Sequence, residues 1–158
     1  MQEHINSEKL EFLKNEMLPL FNKLTTDLKP LWGVMTAQQM VEHFSETMRY
    51  ANGKTILPLF TQADYLPKLR AFMLSEKPFR ENTKNPMIAE IPAAVKNASL
   101  EEAISELENE VSDFFTAFTE DKNVITQNPI FGELTYAENV HLLHKHALHH
   151  LRQFGIIA

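Results

Sequence analysis

The stretch Thr135-Tyr-Ala-Glu-Asn-Val-His-Leu-Leu-His-Lys-His-Ala-Leu-His-His-Leu-Arg-Gln-Phe-Gly155 decides how the rest of the chain is read. It opens on a hydroxyl residue with a glutamate three positions later, the form of a capping box, and closes on a glycine suited to a helix C-terminus. Between these ends Tyr136, Val140, Leu143, Ala147, Leu151 and Phe154 fall on one face at helical spacing, so one amphipathic helix is expected. Five of the seven histidines lie inside it. Packing alone does not account for that crowding, because imidazole is a moderate helix former and a buried unpaired ring nitrogen is costly.

Three further helices are expected upstream. Leu10, Leu13, Met17, Leu20, Phe21 and Leu24 recur at helical spacing from 7 to about 24, with Pro19 expected to kink or interrupt the last turns. Thr36-Ala-Gln-Gln39 is a second capping box, followed by the stripe Ala37, Met40, Val41, Phe44, Met48 and Ala51 and by a stop at Asn52-Gly53. Ser99-Leu-Glu-Glu102 is a third, followed by Ala103, Leu107, Val111, Phe114, Phe115 and Phe118. Residues 121–133, with Asn128-Pro129 and Phe131-Gly132, read as a loop.

Between the second and third helices, residues 54–97 carry Pro58, Pro67, Pro78, Pro86 and Pro92 and read as a long Pro-rich crossover. A short helix fits within 62–74 if Pro67 occupies its first turn. A crossover of this length is expected to pack over one end of the molecule and to wall a pocket. Four long amphipathic helices with one long crossover predict an all-α protein, a four-helix bundle forming a single domain over residues 1–158.

Composition narrows the function classes. Apolar residues make up 44% and charged residues 23%, ordinary for a globular chain, and only four glycines interrupt it. The net charge of -6 and the scattered basic residues argue against nucleic acid as a partner. No apolar run approaches the roughly 20 residues of a membrane span, and Met1-Gln-Glu-His lacks the pattern of a leader, so a cytoplasmic location is expected. With no cysteine, any metal must be held by nitrogen or oxygen.

Helical geometry then sorts the histidines. His146 and His150 stand four apart, so they face the same way at the edge of the apolar stripe. His43 lies on the flank of the second helix, followed by Thr47 and Tyr50, and it is the natural third ligand. Two imidazoles four apart plus one from a neighbouring helix can hold a divalent ion and leave open positions for water or substrate. His141 and His144 fall on the other flank and His149 points nearly opposite, towards solvent; these three are expected to be bystanders. Glu138-Asn-Val-His141 imitates a di-iron motif, but no second such pair exists and Glu138 is already the capping partner of Thr135. Imidazole ligands without carboxylates favour zinc or nickel over magnesium.

The segment His146-Ala-Leu-His-His-Leu-Arg-Gln-Phe-Gly155, preceded by Asn128-Pro-Ile-Phe-Gly-Glu-Leu-Thr135, resembles the C-terminal signature of a DinB-like subfamily that is itself of unknown function. The stretch from Trp32-Gly-Val-Met-Thr-Ala-Gln-Gln-Met40 to His43 is similar to that family's second-helix motif, so the resemblance spans most of the chain. It implies a four-helix bundle, often a homodimer, with a divalent metal held by three histidines that match His43, His146 and His150. Gln153 matches a glutamine that commonly follows the last ligand. Asn128 and Asn139-Val140 stand where the subfamily often carries a histidine and an aromatic, a departure that bears on any accessory role there.

Better characterised DinB-like relatives are thiol transferases or isomerases that use a low-molecular-weight thiol. The resemblance therefore implies a metal-dependent enzyme that activates a small thiol or water for transfer to, or hydrolysis of, a small-molecule electrophile; Gln153, and Tyr50 from its place on the His43 flank of the second helix, are expected as pocket neighbours of the site. The competing expectation is a non-catalytic dimeric helical bundle that binds a metal or small ligand as an interaction module. An open coordination position favours the first, and a fourth protein ligand the second.

Overall fold

The computed structural model describes residues 5–81 and 92–158; His4 and the 82–91 part of the expected crossover, with Pro86, lie outside the described residues. The first helix is a continuous rod in three segments: α1 (Ser7–Glu11), a π-helical turn (Phe12–Glu16) and α2 (Met17–Phe21). Asn6 starts it, its side-chain oxygen accepting from the Lys9 backbone N–H at 3.1 Å. Pro19 does not interrupt the rod. Its ring needs room near the carbonyl of Asn15, four residues back, and Asn15 lies in the widened turn, whose closing bond runs from the Met17 N–H to the Phe12 carbonyl. The helix stops at Phe21, three residues before the expected end.

The remaining long helices follow their caps. In α3 (Ala37–Ala51) the Thr36–Gln39 box is reciprocal, with bonds of 3.1 and 2.9 Å, and Gly53 takes the left-handed conformation (φ 82°) just past the end. In α5 (Leu100–Glu120) Ser99 accepts from the Glu102 N–H, whereas the Glu102 carboxylate reaches back to the Ala98 N–H, one residue before the cap. In α6 (Tyr136–Gln153) the Thr135–Glu138 box is again reciprocal. The crossover contains α4 (Leu66–Leu74), with Pro67 in its first turn as expected.

Residues read as a loop form a hairpin. β1 (Thr126–Asn128) pairs antiparallel with β2 (Gly132–Leu134), and the Asn128 side chain accepts from the Ile130 and Phe131 N–H groups to close the turn. The chain is thus mostly helical with a small two-stranded sheet rather than purely helical. Strands of three residues are too short to show an alternating pattern in the sequence.

One core cluster joins the first rod, α3, α5 and α6, with Met17, Phe21, Phe44, Met48, Phe114 and Leu151 all fully enclosed. Each such side chain contributes about 1.5–3 kcal/mol relative to exposure. α3 and α5 share the most extensive contact, reinforced where Arg49 bridges Glu106 and the buried Glu110 at 3.1 and 2.9 Å. A second cluster of Met73, Leu134 and Leu142, covered by Phe79 and Phe131, seats the crossover and hairpin on α6. No helix among the described residues is long and apolar enough to cross a membrane.

Candidate metal centre

The three residues singled out by spacing meet. His43 projects from the middle of α3 and His146 and His150 from the last two turns of α6, and one ring nitrogen from each falls within 4.8 Å of the other two. His146 Nε2 stands 3.3 Å from His43 Nε2 and 2.7 Å from His150 Nε2. Burial is what shifts their titration. It holds His43 down at about 4, with the neighbouring His149 adding to the effect, and it pushes His146 and His150 well below the usual imidazole range. His150 is buried outright, while His43 and His146 are densely surrounded yet keep an edge towards solvent.

These contacts are hard to satisfy with protons alone. A neutral imidazole nitrogen carries either one hydrogen or one in-plane lone pair, so His146 Nε2 can complete a hydrogen bond to only one of its two neighbours. A cation accepted by all three Nε2 atoms removes the conflict. At zinc–nitrogen distances of about 2.0–2.1 Å, tetrahedral ligands stand about 3.3 Å apart. The His43–His146 separation already has that value, and the His146–His150 separation needs to open by about half an ångström.

A supporting layer orients His150, the most buried of the three. His150 Nδ1–H donates to Gln153 Oε1 at 2.8 Å, which leaves the lone pair on Nε2. Gln153, itself buried, donates through Nε2 to the Trp32 carbonyl at 3.1 Å, and its backbone carbonyl accepts from the Leu31 N–H at 2.7 Å. The connector can lie this close because residue 33 is glycine: its φ is 80°, and a Cβ there would stand 2.9 Å from Gln153 Nε2. Gln153 therefore stands directly behind His150, linked to it by that bond. Tyr50 lies two turns along α3 from His43, and burial together with the nearby Glu46 carboxylate raises its pKa.

The other histidines have defined surroundings. His144 packs edge-on against Phe12, with ring centroids 5.1 Å apart, and burial lowers its pKa to about 4. His141 accepts from Lys9 Nζ through Nδ1 at 3.0 Å and donates through Nε2 to the Ser75 carbonyl at 3.0 Å. His149 departs from the expected exposed position: it is half-buried, 5.6 Å from the Trp32 ring and 5.9 Å from the Phe79 ring. Trp32 and Phe79, from the connector and the crossover, occupy the space beside it. Glu138 serves its cap and pairs with Arg70 at 2.6 Å.

No family model, curated protein or solved structure matches the chain. The site is read from its own geometry.

Sequence reasoning missed Phe79, and it met Trp32 and Gly33 only as the start of the second-helix motif, with no site role attached. A surface groove of about 550 Å³, lined by Lys14, Ser112, Phe115, Thr116, Thr119 and Glu120, contains none of the histidines.

Proposed function

We propose that this chain is a metal-dependent enzyme with the four-helix bundle architecture of the DinB-like superfamily, its centre formed by His43, His146 and His150. The observation that carries the reading is the convergence of three Nε2 atoms from two helices, with separations of 2.7 and 3.3 Å, behind which Gln153 fixes the His150 tautomer. A donor set of three neutral imidazoles and no carboxylate suits zinc or nickel. When bound, such an ion keeps its full charge and lowers the pKa of a thiol or water beside it, supplying a nucleophile near neutral pH.

The chain's own residues do the rest. His43 and His146 keep partial exposure, by which a small substrate would reach the centre, while His150 and Gln153 are buried. Because the chain has no cysteine, the thiol would come from outside, as a low-molecular-weight cosubstrate, or water would take its place. Transfer of a small thiol to an electrophile, or hydrolysis of a small substrate, is the reaction class that follows.

Metal analysis of the protein purified without an affinity tag tests the centre. One zinc or nickel ion per chain is expected, lost in His43→Ala without loss of helical signal. Full occupancy in that variant would overturn the ligand assignment.

A further inference from the structure

Next to the ligand pair on α6 runs a second row of side chains at the same spacing of four: His141, Lys145 and His149. His141 and Lys145 donate to backbone carbonyls of the crossover, and His149 packs against the Phe79 ring. His141 Nε2 bonds the Ser75 carbonyl at 3.0 Å. Lys145 Nζ, buried, bonds the carbonyls of Phe72, Ser75 and Lys77 at 3.0, 2.8 and 2.5 Å, two of them at the C-terminal end of α4. His149 stands beside the Phe79 ring, with centroids 5.9 Å apart. The row therefore clamps residues 72–77 along α6 and lays Phe79 beside His149 one turn further on.

What the clamp positions is Phe79. Its ring stands edge-on to His146 at 6.3 Å and to His149 at 5.9 Å. Phe131 stacks against it at 6.4 Å and the Lys145 ammonium lies 5.7 Å from its centroid. With those neighbours already on the ring, Phe79 is not a free stacking platform. What an incoming molecule meets there is its bulk, held beside the one α6 ligand that keeps a solvent-facing edge.

We propose that Phe79 is the size-selecting wall of the three-histidine centre and that Lys145, through its three carbonyl bonds, is the residue that positions it. The inference rests on the metal reading above. Small ligands pass the wall, and ligands carrying a ring one carbon from the donor atom are turned away until the wall is removed.

The test uses the full chain loaded with cobalt(II), whose absorption reports ligands without any assay of activity. Azide serves as the small probe and benzyl mercaptan, followed by its thiolate-to-cobalt charge-transfer band, as the bulky one. Phe79→Ala is expected to bind cobalt as the parent does and to shift relative affinity towards benzyl mercaptan by about tenfold or more, the scale of adding room for a ring in a packed site. Lys145→Met is expected to shift it in the same direction by less, and Phe79→Tyr to leave it unchanged. Cobalt binding with the same probe ratio in the parent and in Phe79→Ala overturns this inference alone. A parent protein that takes up no cobalt overturns the metal reading and this inference with it. Should Lys145→Met fail to fold, Phe79→Ala still decides the role of the wall.

Discussion

Behind His150, the Gln153 amide has both its polar atoms committed, one to the ligand and one to the Trp32 carbonyl. Gln153→Leu removes the acceptor that fixes the His150 tautomer, so metal affinity is expected to fall about 10–100-fold, as read by competition with a chromophoric chelator. Gly33→Ala reaches the same pair from the other side. It forces a side chain into a left-handed backbone and against Gln153 Nε2, and a loss of about 1–3 kcal/mol in urea unfolding is expected. The His146–His150 pair was legible in the sequence, because a spacing of four on a strongly periodic helix fixes a common face. Gln153 was legible only through the family resemblance. Trp32 and Phe79 were not, since Trp32 acts through its backbone carbonyl and Phe79 is a ring brought in by a crossover whose path no periodicity predicts.

At the scale of elements, caps were the most readable signals. Thr135→Ala removes the hydroxyl that accepts from the Glu138 N–H, leaving the bond from the residue-135 backbone N–H to the Glu138 carboxylate, and is expected to cost about 1 kcal/mol in equilibrium unfolding. Ser99→Ala on α5 removes the same kind of acceptor, from the Glu102 N–H, and should cost about as much. Helix interiors followed from their apolar stripes, whereas the hairpin did not, because strand identity at three residues depends on pairing and on the Asn128 turn rather than on pattern. Pro19 illustrates a different limit. The proline rule anticipated a kink or break in the last turns, whereas the turn that departs from α geometry is Phe12–Glu16, upstream of Pro19, and the helix runs on to Phe21. The row His141, Lys145 and His149 was visible as spacing, yet the hold of His141 and Lys145 depends on carbonyl acceptors, which every residue carries and no sequence marks.

Across the whole molecule, the candidate centre ties α3 to α6, two elements that otherwise meet through the shared core. An ion bound there should stabilise the fold by mass action, by about 2.7 kcal/mol at a free concentration one hundred times Kd. Phe44 packs against the His146 ring at 5.0 Å while lying at the centre of the core, so Phe44→Ala is expected to cost about 3–5 kcal/mol and to weaken metal binding together with stability. Metal binding and folding should thus be coupled in core variants and separable in His43→Ala, whose side chain keeps a solvent-facing edge.

The most direct measurement is the melting temperature and metal content of untagged protein, parent and His43→Ala, with and without added zinc or nickel. The account predicts one ion per chain and a metal-dependent rise in melting temperature for the parent, and neither for the folded variant. A parent protein that binds no divalent metal, with a melting temperature unmoved by zinc and nickel, would contradict it.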